Sequence, residues 1–186
     1  MANDSANVVI GGTGTISVAP AGSTLPTTLD GALDAAFTEV GYVTEDGVEF
    51  SDKREIDGVA AWQSGGRRVR SWVKARESKL ATELMEWTGD NLVLAFGGGT
   101  VTHAGGDFKF TPPTEDDALA EYAIVVDVVD GAESYRIVVA NAVVENEVKS
   151  KFSGDGAATL PIEFTVQDDG TNDPWVVYSD NAAWAT

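Results

Sequence analysis

Few side chains in this sequence could do covalent or metal chemistry, and those few stand apart. The 186 residues include one histidine, His103, and no cysteine. A two-histidine metal site or an HExxH helix needs a second histidine, and a thiol nucleophile, zinc cluster or disulfide framework needs cysteine. His103 lies in a glycine-flanked stretch and reads as a surface or loop histidine. Residues 168–173, Asp-Asp-Gly-Thr-Asn-Asp, crowd oxygen ligands that could hold Ca²⁺ weakly. They lack the EF-hand spacing and its distal bidentate glutamate, so a solvated acidic loop is the plainer reading. The glycine runs at 11–15 and 97–100 form neither a phosphate-binding loop nor a dinucleotide turn and read as turns. With 30 acids, carboxylate pairs suited to glycoside hydrolysis abound, and nothing singles out two. The chain reads as non-enzymatic, with no catalytic, metal or cofactor-binding residue assigned.

The residues that do stand out are basic and clustered. Residues 53–79 hold 8 of the 12 Lys and Arg and 3 of the 30 acids, a local balance of +5 against −23 for the remainder and −18 overall. Two readings remain open. The cluster could serve solubility and local pairing, or it could dock on the acidic body of another copy. Stable duplex DNA binding is disfavoured, because it calls for a basic net surface.

This cluster sits on a predicted β-hairpin, residues 48–77. If Gly65-Gly66 forms a two-residue type I′ turn, Asp57 faces Lys74, Glu55 faces Arg76 and Arg54 faces Glu77, each opposite-charge pair worth up to about 1 kcal/mol. Alternation then puts Ile56, Gly58, Ala60, Trp62, Val69, Val73 and Ala75 on a face to be buried. Lys53, Glu55, Asp57, Arg68, Arg70, Lys74 and Arg76 fall on the charged face. A short helix is predicted over 78–88, with Ser78 as N-cap, Leu80, Leu84 and Trp87 as an apolar stripe, Met85 beside it and Gly89 as its stop.

Elsewhere, residues 1–21 read as a glycine-rich arm and 21–26 as a connector, with a helical turn or an anchored loop near Leu29 to Phe37. Strands are predicted over 37–44, 91–96, 122–129, 134–140, 143–152, 159–167 and 175–178, with a weakly alternating segment over 100–110 turning at Gly105-Gly106. The fold class is mainly β: a β-sandwich or barrel with one flanking helix and a long hairpin. Length fits a single domain over 1–186, its core spanning 22–178 and its C-terminal arm 179–186 carrying Trp184, which is expected to dock on the body or on a neighbour. The first residues lack a positive n-region and an apolar h-region, and no apolar run approaches a membrane span, so the chain is expected to be made soluble, without Sec export or membrane insertion.

In this order, a glycine-rich arm, the hairpin VEFSDKREIDGVAAWQSGGRRVRSWVKARES, the segment KLATELMEW and a run of strands, the chain resembles the major tail (tail tube) proteins of long-tailed, non-contractile phages, especially those infecting actinobacteria. The likeness spans residues 14–178 and is most specific over 48–87, at 57–62 and 70–74; the C-terminal half matches only in its β pattern. The resemblance implies a virion protein, synthesised in the host cytoplasm, whose hexameric rings stack into a hollow tube around a tape measure protein. Tail terminator and distal tail or baseplate proteins would cap the tube, and genomic double-stranded DNA would pass through it. It implies no cofactor. Lumenal sheets in the family are typically acidic, which fits the body but not the hairpin. The expected subunit or ring interface is therefore the tip, Gln63, Ser64, Gly65, Gly66, Arg67, Arg68 and Arg70, together with Trp184. A monomeric immunoglobulin-like or adhesin-type module would share the β pattern and acidity without needing a basic hairpin. A halophile's β-protein would share the acidity.

Overall fold

The computed structural model describes residues 7–185, and antiparallel strands make up about half of them. In chain order they are β1 (Thr13–Pro20), β2 (Thr38–Glu39), β3 (Val43–Ala60), β4 (Arg68–Leu84), the helix α1 (Gly89–Ala95), β5 (Thr100–Ala104), β6 (Asp107–Thr111), β7 (Glu121–Asp130), β8 (Glu133–Val144), β9 (Leu160–Val166) and β10 (Trp175–Ser179). Eight strands form one sheet in the order β2-β1-β7-β8-β9-β4-β3, with β10 also paired to β8; β5 and β6 form a separate hairpin turning at Gly105-Gly106.

One core joins both ends of that sheet. Ile16 of β1, Leu80 and Leu84 of β4, Ile124 and Val126 of β7, Val139 of β8, Ile162 and Phe164 of β9, and Leu94 of α1 pack into a single cluster. Strands distant in the sheet order can share a cluster only if the sheet curls around it. The near-continuous apolar run of β7, Tyr-Ala-Ile-Val-Val, has its own cause: β7 and β8 are covered on both faces, as such runs require. Ala123, Val125, Val138 and Ala140 are buried on the second face. Leu25, Pro26 and Thr27 stand over Val138 and Ala140 there. Arg136, paired with Asp127 at 2.6 Å, donates to the carbonyls of Thr28 and Gly31 and ties the 21–37 loop down. That segment is irregular, without a helical turn.

Helix and strand exchange places relative to the sequence reading. Residues 78–84 continue β4, while 91–96, expected as a strand, lie in α1 and its C-terminal cap. Leu80 and Leu84 do lie on one face, but spacings of four are even, so they suit a strand as well as a helix. Thr82, between them, is buried too, which is the strand period. The helix begins ten residues later than expected, where Thr88 Oγ1 accepts from Asn91 N–H at 3.1 Å. Gly89 is thus its first residue rather than its stop, and Gly97, at φ 65°, follows the real C-terminus.

Four more expectations are corrected. Within the segment read as an arm, Thr13–Pro20 is an interior strand, hydrogen-bonded to β7 along its whole length; Met1 to Ala6 lie outside the described residues. The strand expected over 37–44 is broken, because only Thr38–Glu39 pairs before β3 begins. The strand expected over 143–152 stops at Val144, after which Asn146 bonds to Pro161 O and Glu163 N–H of β9 and ends the ladder. The hairpin is longer than 48–77, its strands spanning Val43–Ala60 and Arg68–Leu84.

The hairpin register also differs. Asp57 faces Trp72, Glu55 faces Ala75, and Arg54 faces Arg76. Gly65 and Gly66 do adopt positive φ, 62° and 80°, but within a loop over 61–67 that includes the 3-10 turn Trp62–Ser64, rather than a two-residue turn. The longer loop and irregularities at 55/56 and 59/60 shift the pairing. Opposite charges still meet along the diagonals, with Lys74 on Glu55 at 2.7 Å and Arg76 on Asp52 at 2.8 Å. The apolar face is not buried within the chain: Ile56, Val69 and Val73 are each more than half exposed.

Candidate functional site

β4 pairs with β9 only over Lys79–Leu84; beyond that point, among the described residues, the two hairpin strands have no strand partner but each other. The result is a two-stranded ribbon projecting roughly 30 Å from the body at about 3.3 Å per residue. Its root is anchored on β10. Arg76 donates from Nε and Nη2 to the two oxygens of Asp52 at 2.8 and 2.9 Å, and Ser78 Oγ donates to Asp52 at 2.7 Å. Trp175 closes the cluster, edge-on to Phe50 at 5.0 Å, donating from Nε1 to Ser78 Oγ at 3.2 Å and lying 5.9 Å beneath the Arg76 guanidinium. The bonds from Arg76, and secondarily from Ser78, hold the Asp52 carboxyl down at about 2. On the far face Lys79 bridges Glu163 at 2.8 Å and Glu77 at 3.7 Å, and Glu163 raises its pKa.

The tip is different. Gln63 and Ser64 sit in the 3-10 turn, Gly65 and Gly66 complete the loop, and Arg67, Arg68 and Arg70 lead away from it along β4. Among the described residues, none of these three arginines makes an ion pair. Local pairing accounts for Lys74, Arg76 and Lys79 and leaves the three arginines at the tip without a carboxylate partner among the described residues. Trp62, assigned to a buried face from the sequence, is 91% exposed at this tip. It lies in the 3-10 turn rather than on a strand, where alternation no longer assigns a face.

Trp184 is placed elsewhere. The C-terminal turn Ala182–Trp184 folds back on the start of β8, where Asp180 accepts from Ser134 N–H at 2.7 Å and the Trp184 ring meets Tyr135 at 6.2 Å. Half of Trp184 remains exposed.

A second feature, invisible in the sequence, lies at the foot of the hairpin. A cleft of 360 Å³ opens between β1, β2 and the start of α1; Val18, Leu94 and Tyr122 supply apolar lining and Glu39, Glu86 and Asp90 carboxylates. Burial raises the Tyr122 phenol pKa. Glu86 accepts from Tyr42 N–H at 2.8 Å, and its carboxylate sits where a Cβ on Gly41 would collide with it. None of the three carboxylates has a cation partner among the described residues.

Both ends of the sheet are open. β2 covers β1 only at Ser17 and Val18, and β3 pairs on one side alone. Ahead of β1, Val8, Val9 and Ile10 are each more than half exposed, with Ile10 N–H held by Asp130 at 2.7 Å. Exposed edges and apolar segments of this kind are docking surfaces or liabilities.

The residues considered for chemistry do not converge. His103 stacks on Phe108 at 4.5 Å on the β5–β6 hairpin. In the acidic loop, Asp169 accepts from Asn172 Nδ2 and from the Asn172 and Thr171 amides, which lowers its pKa. These bonds are internal to the turn. Among the described residues no three His, Asp or Glu side chains form a group that could hold a metal ion, and no helix is long and apolar enough to cross a membrane.

No curated protein matches this sequence. A family model for the phage tail tube protein matches residues 1–186. With its antiparallel sheet, single helix and projecting hairpin, the chain belongs to the phage tail tube protein family.

Proposed function

We propose that this chain is the major tail subunit of a long, non-contractile, siphovirus-type tail, and that it assembles as hexameric rings stacked into a hollow tube. The observation that carries this reading is the segregation of charge: a ribbon with three unpaired arginines at its tip projects from a body of net charge −23. A monomer has no use for such a ribbon, whereas a stacked assembly has a complementary surface for it on the next copy. The open edges at β1–β2 and β3 supply the lateral contacts, since continuing a sheet from subunit to subunit satisfies both.

In this assembly the acidic body lines the lumen and repels DNA phosphate, so that genomic DNA slides through during ejection rather than adhering. The tape measure protein occupies the lumen before ejection, and terminator and distal tail or baseplate proteins cap the ends. The role is architectural, without a catalytic step.

The test is reversal of Arg67, Arg68 and Arg70 to Glu, examined by negative-stain electron microscopy and size-exclusion chromatography beside the wild type. Wild-type rings or tubes of uniform width, absent from a variant with unchanged circular dichroism, are the expected result. Unaltered tubes in the variant would sink the proposed role of the tip. Wild-type protein that stays monomeric with its tape measure and initiator present would overturn the tube reading itself.

A further inference from the structure

The uncompensated tip and the uncompensated cleft lie at opposite ends of the same hairpin. The cleft includes Glu39, Gly41 and Glu86, at the foot of β3 and β4, and Trp62 stands just past their far end. Seventeen strand steps from Val43 to Ala60 separate them, about 56 Å at roughly 3.3 Å per residue. No chain can therefore fill its own cleft with its own tip.

We propose that the cleft is the receptor for Trp62 of another copy, its indole entering between Val18, Leu94 and Tyr122 while Arg67 and Arg68 pair with Glu39, Asp90 and the free oxygen of Glu86. This deepens the tube reading above and rests on it, naming the contact by which one copy holds the next. Size supports it: 360 Å³ lies in the usual range for a binding pocket, about 300–1,000 Å³, and a buried aromatic ring contributes roughly 150–250 Å². Chemistry supports it as well. Trp and Arg are the residue types that most often dominate an interface from its centre, and here they share an exposed loop whose arginines have no ion-pair partner among the described residues. Three arginines with no ion pair and three carboxylates with none are complementary in sign.

The contact has a geometric consequence. Tip and foot are different surfaces, so the interface is heterologous and each docked copy presents a fresh tip to the following one. Such a contact closes into a ring or continues openly according to the rotation between copies, and with the tip far beyond its own body the proposed contact takes the open course. It gives axial stacking, distinct from the lateral edge pairing that would close a ring.

The test uses the full chain. Trp62→Ala, and separately Glu39→Lys with Asp90→Lys, should each raise the concentration needed for assembly about tenfold or more, with thermal unfolding of the monomer near that of the wild type. Combining Glu39→Lys and Asp90→Lys with Arg67→Glu and Arg68→Glu should restore assembly. Because the chain has no cysteine, Gln63→Cys with Ala36→Cys provides an independent readout, in which oxidised assemblies should run as a covalent ladder on a non-reducing gel. Wild-type tubes accompanied by normal assembly of both the Trp62 and the carboxylate variants, and by no ladder, would overturn the tip-in-cleft contact and leave the tube reading standing. Failure of the wild type itself to assemble with its tape measure and initiator present would remove both.

Discussion

At the scale of single residues, the best-defined electrostatic feature is Asp52. Hydrogen bonds from Arg76 and Ser78 depress its folded-state pKa from 3.8 to about 2. A carboxylate whose folded pKa lies below its unfolded value contributes stability that is complete above the unfolded pKa and is lost as pH falls through the folded one. The hairpin root should therefore be at full strength above about pH 4 and weaken between about pH 4 and 2. Asp52→Asn should be less stable than the wild type at neutral pH, and the difference should shrink over that acid interval; urea titrations at a series of pH values measure it. A pH-independent difference would mean that the ion pair with Arg76 is not what matters at the root.

At the scale of elements, the hairpin divides into a root that belongs to the fold and a ribbon that does not. Below Lys79 the strands contribute Leu80 and Leu84 to the core, both fully buried. Above it, every residue from Ser51 to Glu77 is exposed or partly exposed. Replacing residues 56–74 by Asn-Gly, a two-residue turn joining the Glu55 and Ala75 pair, keeps Arg76 on Asp52 and should shift Tm by no more than about 4 °C, the effect of about 1 kcal/mol in a domain of this size. Assembly should be abolished. Calorimetry together with electron microscopy checks both halves, and a large loss of Tm would show that the ribbon is part of the folding unit after all.

At the scale of the whole molecule, two opposing fields act on assembly. Like-charged bodies repel, and the basic tip attracts the body of the next copy. Salt screens both, with a Debye length of about 10 Å at 0.1 M and about 3 Å at 1 M. If tip docking limits the rate, wild-type assembly followed by light scattering should slow as NaCl is raised. The triple arginine-to-glutamate reversal takes the net charge from −18 to −24, leaving repulsion alone, so any residual association should instead speed up with salt. The same slope for both proteins would remove attraction by the tip from the account.

Composition, charge distribution and turn chemistry are properties of the sequence, and they were enough for the mainly β class, the β7–β8 and β5–β6 hairpins, and a basic ribbon with Gly65 and Gly66 at positive φ. The tertiary structure decided what depends on partners distant in sequence. Leu80 and Leu84 fit a helix and a strand equally until β9 pairs with β4 over Lys79–Leu84. Thr13–Pro20 lacks the apolar density of a core strand, yet becomes one because β7, more than a hundred residues on, supplies its ladder. Trp62 was legible as a large apolar residue but not as an exposed one, because alternation assigns a face only while the backbone is a strand, and at Trp62 it turns. The cleft that we match to it is assembled from β1, β2, β7, α1 and the end of the hairpin. Local spacing carries no record of such a site, since only the curl of the sheet brings its walls together.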